Sequence, residues 1–256
     1  MFTEPLTTAL GYYGKVPTHG DFVSRGLPRS FIDPWDLWLQ EAIMTSREHL
    51  GSQWLDYYLT SPLYRFALSP GICGDTGWFG ILMPSVDKVG RYYSMTIGQQ
   101  INSSANPFDI LQQSKNFTEL ERLALSCLKD DYDLHAFNRE IDQLGLARAN
   151  NPIPNLTMSE QIANLTFPAT WQQSLSSPET LSELLPSLLD NVLKDRCFTY
   201  SLWWTKGSDQ VSPSLLFSEG LPPFNQVAAM YDGNWQQWGW ASKQYPYPMP
   251  KQPTSE

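Results

Sequence analysis

Between residues 64 and 100, three short apolar runs follow one another with only turn residues between them. They are Tyr64–Leu68, Trp78–Met83 and Arg91–Gln100, and in the last of these Tyr93, Met95 and Ile97 alternate. Apolar runs of this length, punctuated by Gly, Pro, Asp and Ser, read as strands. The connections SPGICGDTG and PSVDKVG are short, and short connections favour antiparallel hairpins over parallel crossovers. Upstream, Gly11-Tyr12-Tyr13-Gly14 is aromatic and bounded by glycine, and reads as one more strand.

Helical periodicity frames these strands. Asp33-Pro34-Trp35-Asp36 predicts a helix start: Asp33 can cap, Pro34 suits the first helical position, and Asp36 places negative charge in the first turn. Trp35, Trp38, Leu39, Ala42, Ile43, Ser46 and Leu50 then recur at helical spacing up to Gly51. After Asn106-Pro107 a helical region carries Phe108, Leu111, Leu120, Leu123, Ala124 and Cys127. A second helix carries Leu134, Phe137, Ile141 and Leu144 and is closed by Gly145. The order β-α-β-β-β-α-α predicts an α+β fold, an antiparallel sheet with helices on its faces. Trp35, Leu39, Ile43, Phe66, Phe79, Leu82 and Leu123 are its expected core.

The stretch ARANNPIPNL at 147–156 reads as a connector. It divides the chain into an expected domain at 1–147 and a smaller mixed α/β extension at 148–256. In the extension, Ser177-Pro178-Glu179 opens a helix that Pro186 should kink or split. Phe198–Thr205 and Ser214–Phe217 are strand candidates, and the last residues, YPYPMPKQPTSE, form a Pro-rich tail with polyproline character.

Composition narrows the function. A net charge of −9 and a pI of 4.8 count against a nucleic-acid-binding face and against anionic membrane surfaces. No apolar run reaches about 18 residues, so no membrane insertion is expected, and the N-terminus lacks a basic start followed by an apolar run. Cys73, Cys127 and Cys197 are odd in number and far apart, which suits a reducing compartment.

The chemistry-bearing motifs fail one by one. Gly14-Lys15 lacks the spacing and the hydroxyl residue of a phosphate loop, and no G-x-S-x-G, H-E-x-x-H or C-x-x-C occurs. His19, His49 and His135 are scattered, so neither a metal nor a cofactor is expected. Asp75-Thr76-Gly77 resembles half of an aspartic-protease pair, but no second such triplet occurs. With Gly71, Gly74, Gly77 and Gly80 around it, the triplet reads as a glycine-rich turn. A carboxylate-dependent hydrolase using Asp75 stays as the alternative to a non-enzymatic binding protein. Arg91 opens a strand after a turn and could contact an anion or a partner. Trp203 and Trp204 would face opposite sides of a strand, one in the core and the other covered by the C-terminal part or by a partner. Trp235, Trp238 and Trp240 form a packing lid or a binding surface.

Several of these segments resemble a known family. Gly11–Pro17, Gly20–Val23, Leu27-Pro28, Phe31 and Trp35-Asp36-x-Trp38-Leu39 are similar to the opening of the TagF family of bacterial type VI secretion accessory proteins. Trp78–Arg91 resembles a second signature of that family. Ser201–Trp204, Pro213-Ser214, Glu219–Pro222 and Asp232-Gly233-x-Trp235 resemble a third. The resemblance implies a cytoplasmic, non-enzymatic, post-translational repressor with a longin- or profilin-like N-terminal domain. It implies a forkhead-associated scaffold protein of the secretion system as partner, and it carries over no catalytic residues. Arg91, Trp204 and Glu219, all within these motifs, are the expected partner contacts: two charges for directional bonds and one aromatic anchor.

Overall fold

The computed structural model describes residues 10–101, 105–111, 114–150 and 181–241. Seven strands make one sheet: β1 (Gly11–Gly14), β2 (Val23–Arg25), β3 (Tyr64–Leu68), β4 (Trp78–Met83), β5 (Met95–Gln100), β6 (Tyr200–Thr205) and β7 (Ser214–Glu219). Their order is β2-β1-β5-β4-β3-β6-β7, and each neighbouring pair is antiparallel. The expected α+β architecture is present, an open antiparallel sheet covered by helices.

The central strands are buried along almost their whole length, because helices cover both faces. On one face lie α1 (Arg29–Leu50), α2 (Trp54–Thr60) and the short α7 (Ala229–Asp232). Here Trp35 stacks on Trp203 at 5.8 Å and 8° and meets Phe66 at 4.8 Å, with Trp38, Tyr64 and Trp78 around them. On the other face, Phe79, Ile81, Met95 and Ile97 pack against Phe117, Leu120 and Leu123 of α4 (Ser114–Ser126) and Phe137 and Ile141 of α5 (Leu134–Asn150). The short α3 (Pro107–Leu111) and α6 (Leu181–Arg196) complete the described helices. Of the expected core, all but Ile43 are buried, and Ile43 packs half-covered at the margin of α1.

The local boundaries differ from the sequence reading for physical reasons. Helix α1 begins at Arg29, a turn before Asp33, and Pro34 lies inside it. The Pro28 carbonyl accepts the amides of both Phe31 and Ile32 at 3.0 Å, so these two buried residues extend the apolar stripe backwards. Their burial outweighs the intrahelical bond that Pro34 cannot donate. The third run pairs as strand only from Met95, because Val86–Tyr92 forms its own small hairpin. Strand β2, three residues and mostly exposed, has too little periodicity to stand out. Helix α5 runs through Gly145 to Asn150, and α6 runs through Pro186 without ending there. The rest of the 147–156 connector, the helix opening at 177–179 and the Pro-rich tail lie outside the described residues.

The C-terminal segments complete the sheet. Phe66 of β3 stands opposite Gly80 of β4 on one side and Trp203 of β6 on the other. Tyr64 donates its hydroxyl to the Met230 carbonyl at 2.9 Å, and Trp38 donates its indole N–H to the Pro222 carbonyl at 2.8 Å. Both bonds tie the C-terminal region to the α1 face.

Candidate functional site

Residues 13–22, Asp36 and the 85–93 stretch, three parts of the chain, meet where β1 leaves the sheet. β-strand alternation turns Tyr13 toward α1, where Asp36 is waiting. Tyr13 and Tyr93 both donate their hydroxyls to Asp36 Oδ1, at 2.8 and 2.6 Å, and Gln40 Nε2 donates to Oδ2 at 2.6 Å. Phe22 stacks on Tyr13 at 5.2 Å and meets Tyr93 edge-on at 4.8 Å. Burial, and then the hydrogen bond to and charge of Asp36, push both tyrosine hydroxyls well above their ordinary pKa. They act as fixed donors.

Beside this aromatic cluster sits Asp87, whose side chain is 0 % exposed. Lys15 Nζ donates to its Oδ2 at 2.9 Å, and Arg91 Nε donates to the same oxygen at 2.6 Å. The amides of Val89 and Arg91 donate to Oδ1 at 3.0 and 2.9 Å. Burial alone would raise the Asp87 carboxyl, but the four donors outweigh it and hold the group well below the usual carboxylate range. The guanidinium of Arg91 also reaches the Gly20 carbonyl, and the Lys88 amide donates to the His19 carbonyl at 2.9 Å. Ser85 Oγ donates to the Lys15 carbonyl at 2.8 Å. Asp87 therefore staples the 84–92 hairpin to the 15–22 loop. The outer side of the staple carries exposed Phe22 and Val89, and Arg91, whose side chain remains 57 % exposed. A cleft of about 500 Å³ opens alongside, between Met44 and Arg47 of α1 and the Tyr92-Tyr93 pair.

The three expected contact residues do not converge. Arg91 lies at the staple, with its guanidinium shared between Asp87, the Gly20 carbonyl and solvent. Trp204 stands on β6 beside β3, half-buried, its ring edge-on to Phe117 of α4 at 4.9 Å. Glu219 is exposed at the far end of the edge strand β7, opposite Tyr200. Trp203, its neighbour's partner in the sequence pair, is the one that enters the α1-side core.

Asp75 is exposed on the turn before β4 and lines none of the three clefts described for the molecule. The turn itself is built by backbone. Gly74 has φ +89°, and its carbonyl accepts the Gly71 amide at 2.8 Å. A Cβ on Gly77 would stand 2.9 Å from the Leu68 carbonyl oxygen, and the Gly77 carbonyl accepts the Ile101 amide at 2.8 Å. Among the described residues no group of His, Cys, Asp and Glu is placed to hold a metal ion. The three cysteines are free and buried, and burial pushes the Cys73 and Cys127 thiols up to about 12. Cys73 and Cys127 pack in the two core clusters, one on each face of the sheet.

A second surface feature escaped the sequence reading. An open apolar groove of about 750 Å³ lies between α1 and the loop after β7, walled by Leu37, Ile72, Leu221, Pro222 and Phe224. Leu37 is 62 % exposed. The available signal was its phase: Leu37 is apolar yet falls off the buried stripe of α1.

Fold and site define a layered α+β protein on an open antiparallel sheet, with side chains of its first two signatures locked together in a two-loop staple at the sheet margin. The model of the TagF N-terminal domain, described as type VI secretion system-associated, matches residues 11–144. The chain belongs to the TagF family. The crystal structure of PA0076 from Pseudomonas aeruginosa PAO1 is similar to it at 32 % identity with a TM-score of 0.70, covering 93 % of this chain and 99 % of that one. No curated protein matches the chain.

Proposed function

We propose that the chain is a non-enzymatic repressor of type VI secretion that acts in the cytoplasm by binding the forkhead-associated scaffold protein of the system. The observation that carries this reading is the Asp87 staple. Residues from separate signature segments spend their polar groups on one another, and the result is a rigid pair of loops with Phe22, Val89 and part of Arg91 facing out. Two fixed loops with an apolar centre and one directional cation are a binding surface in miniature. Arg91 is the first contact residue. Trp204 and Glu219 are two further candidates, on other parts of the molecule. Family membership supports the secretion context, and the absence of a membrane-crossing helix among the described residues fits a peripheral role. The hydrolase alternative draws no support from Asp75, an exposed turn residue outside every described cleft.

The test is overproduction in a secreting cell. Secreted effector should fall while transcript levels hold, and the effect should vanish when the scaffold gene is deleted. Phe22→Ala with Val89→Asp should abolish pull-down of the scaffold by a protein that still melts normally. Unchanged pull-down by that variant would move the interface elsewhere, and continued repression without the scaffold would overturn the partner.

A further inference from the structure

The two loops of the staple end in bare backbone. A Cβ on Gly20 or on Gly90 would meet no atom within 4 Å. The hairpin tip is fixed all the same. The Gly90 amide donates to the Asp87 carbonyl and the Asp87 amide to the Arg91 carbonyl, both at 3.0 Å, while Asp87 Oδ1 holds the amides of Val89 and Arg91. A partner can approach such a tip closely without first having to order it.

Charge on this face runs against the rest of the chain, whose net charge is −9. Within 15–22 and 84–92 the lysines and arginines are Lys15, Lys88 and Arg91, and the carboxylates are Asp21 and Asp87. Lys15 and Asp87 neutralise each other inside the staple, which leaves Lys88, Arg91 and Asp21 on the exposed side. Lys88 takes part in no ion pair among the described residues.

Arg91 is only half engaged. Its Nε donates to Asp87 and its Nη2 to the Gly20 carbonyl, which together fix the plane of the guanidinium. Its Nη1 donates to no group among the described residues. Asp21 Oδ1 stands 4.0 Å from Nη2, too far for a hydrogen bond, and the Asp21 side chain is fully exposed. An oriented guanidinium with an open edge, on the same outer side as Phe22 and Val89, is matched by a carboxylate with an apolar neighbour. A phosphate brings about two charges and three acceptor oxygens, more than one open arginine edge can satisfy.

We propose that the staple receives an acidic, apolar segment of the partner. An Asp or Glu of that segment takes the open edge of Arg91, an apolar side chain beside it packs on Phe22 and Val89, and Asp21 is the internal competitor that the incoming carboxylate displaces. The proposal rests on the reading of the staple as the partner surface, and adds the chemistry of the partner and an autoinhibitory contact.

The experiment is calorimetric titration of the full chain with the purified scaffold protein over a series of salt concentrations. Affinity should fall as salt rises. Asp21→Asn should tighten binding about threefold, and Lys88→Glu should weaken it about tenfold. Gly20→Trp, with open space around the new side chain, should block binding. All three variants should melt as the parent does, and phosphatase treatment of the scaffold should change nothing. Unchanged affinity in Asp21→Asn and Lys88→Glu, with Gly20→Trp still blocking, would keep the staple as the interface and overturn the acidic partner. Tighter binding by Lys88→Glu, or loss of binding after phosphatase, would also overturn it, the latter in favour of a phosphorylated segment. Undiminished binding by Gly20→Trp would take the interface off the staple, and no binding by the parent chain would overturn the scaffold reading and this proposal together.

Discussion

Asp87 gathers four donors, from Lys15, Val89 and Arg91, onto one buried carboxylate. Its removal leaves Lys15 buried and without its carboxylate, and breaking one partner of a buried pair costs about 3–5 kcal/mol. Asp87→Ala should therefore lower the urea midpoint sharply, and a Lys15→Met, Asp87→Leu double variant should recover part of the loss. A pH dependence follows from the same geometry. The folded carboxyl titrates below its unfolded value of about 4, so the stability it adds is complete above that pH and is lost as pH falls toward the folded pKa. Asp87→Asn should be less stable at neutral pH and show a shallower loss below about pH 4 than the parent chain. On the turn before β4 the two residues behave oppositely. Asp75→Asn, exposed, should change stability by less than about 0.5 kcal/mol. Gly77→Val places a branched side chain against the Leu68 carbonyl and should cost about 1–3 kcal/mol. Loss of repression in a folded Asp75→Asn chain would return the carboxylate chemistry to consideration.

At the scale of elements, α1 divides cleanly by phase. Trp35 is buried against Phe66 and Trp203, and Trp35→Ala should cost about 3–5 kcal/mol in chemical denaturation. Leu37→Ala, two residues along and exposed, should fall within about 0.5 kcal/mol of the parent. The elements legible in the sequence are those whose burial leaves a pattern: the stripe of α1, the unbroken apolar runs of the doubly covered β3 and β4, the Leu and Phe ladder of α4 and α5. What escaped lacked a period or depended on distant partners. Strand β2 is three residues long, and Phe31 and Ile32 become helical through burial against the sheet. The site was legible only as motifs. Arg91 was singled out, but the acid that holds it, and the pairing of Tyr13 and Tyr93 through Asp36, require knowing that β1, α1 and the 84–92 hairpin meet. Trp204 and Glu219 stand out in the sequence by motif and residue type, and these do not tell that one lies against Phe117 and the other at the end of an edge strand.

At the scale of the whole molecule, β3 has one neighbour from the first half of the chain and the other from the second. A fragment ending at residue 147 would leave the β6-facing edge of β3 open and Trp35 without Trp203. Expressed alone, it should bind a hydrophobic dye and lack the single cooperative melt of the full chain. A sharp, dye-free melt would show instead that it is an autonomous unit. The same topology sets a timetable. On a ribosome adding about 5–20 residues per second, β3 emerges on the order of ten seconds before β6 does. Through that interval the nascent chain carries an unpaired strand beside a wall of tryptophan, the kind of surface that chaperones hold and that neighbouring copies adhere to. Protecting that wait should therefore raise the folded yield of this protein even where the stability of the finished sheet is unchanged.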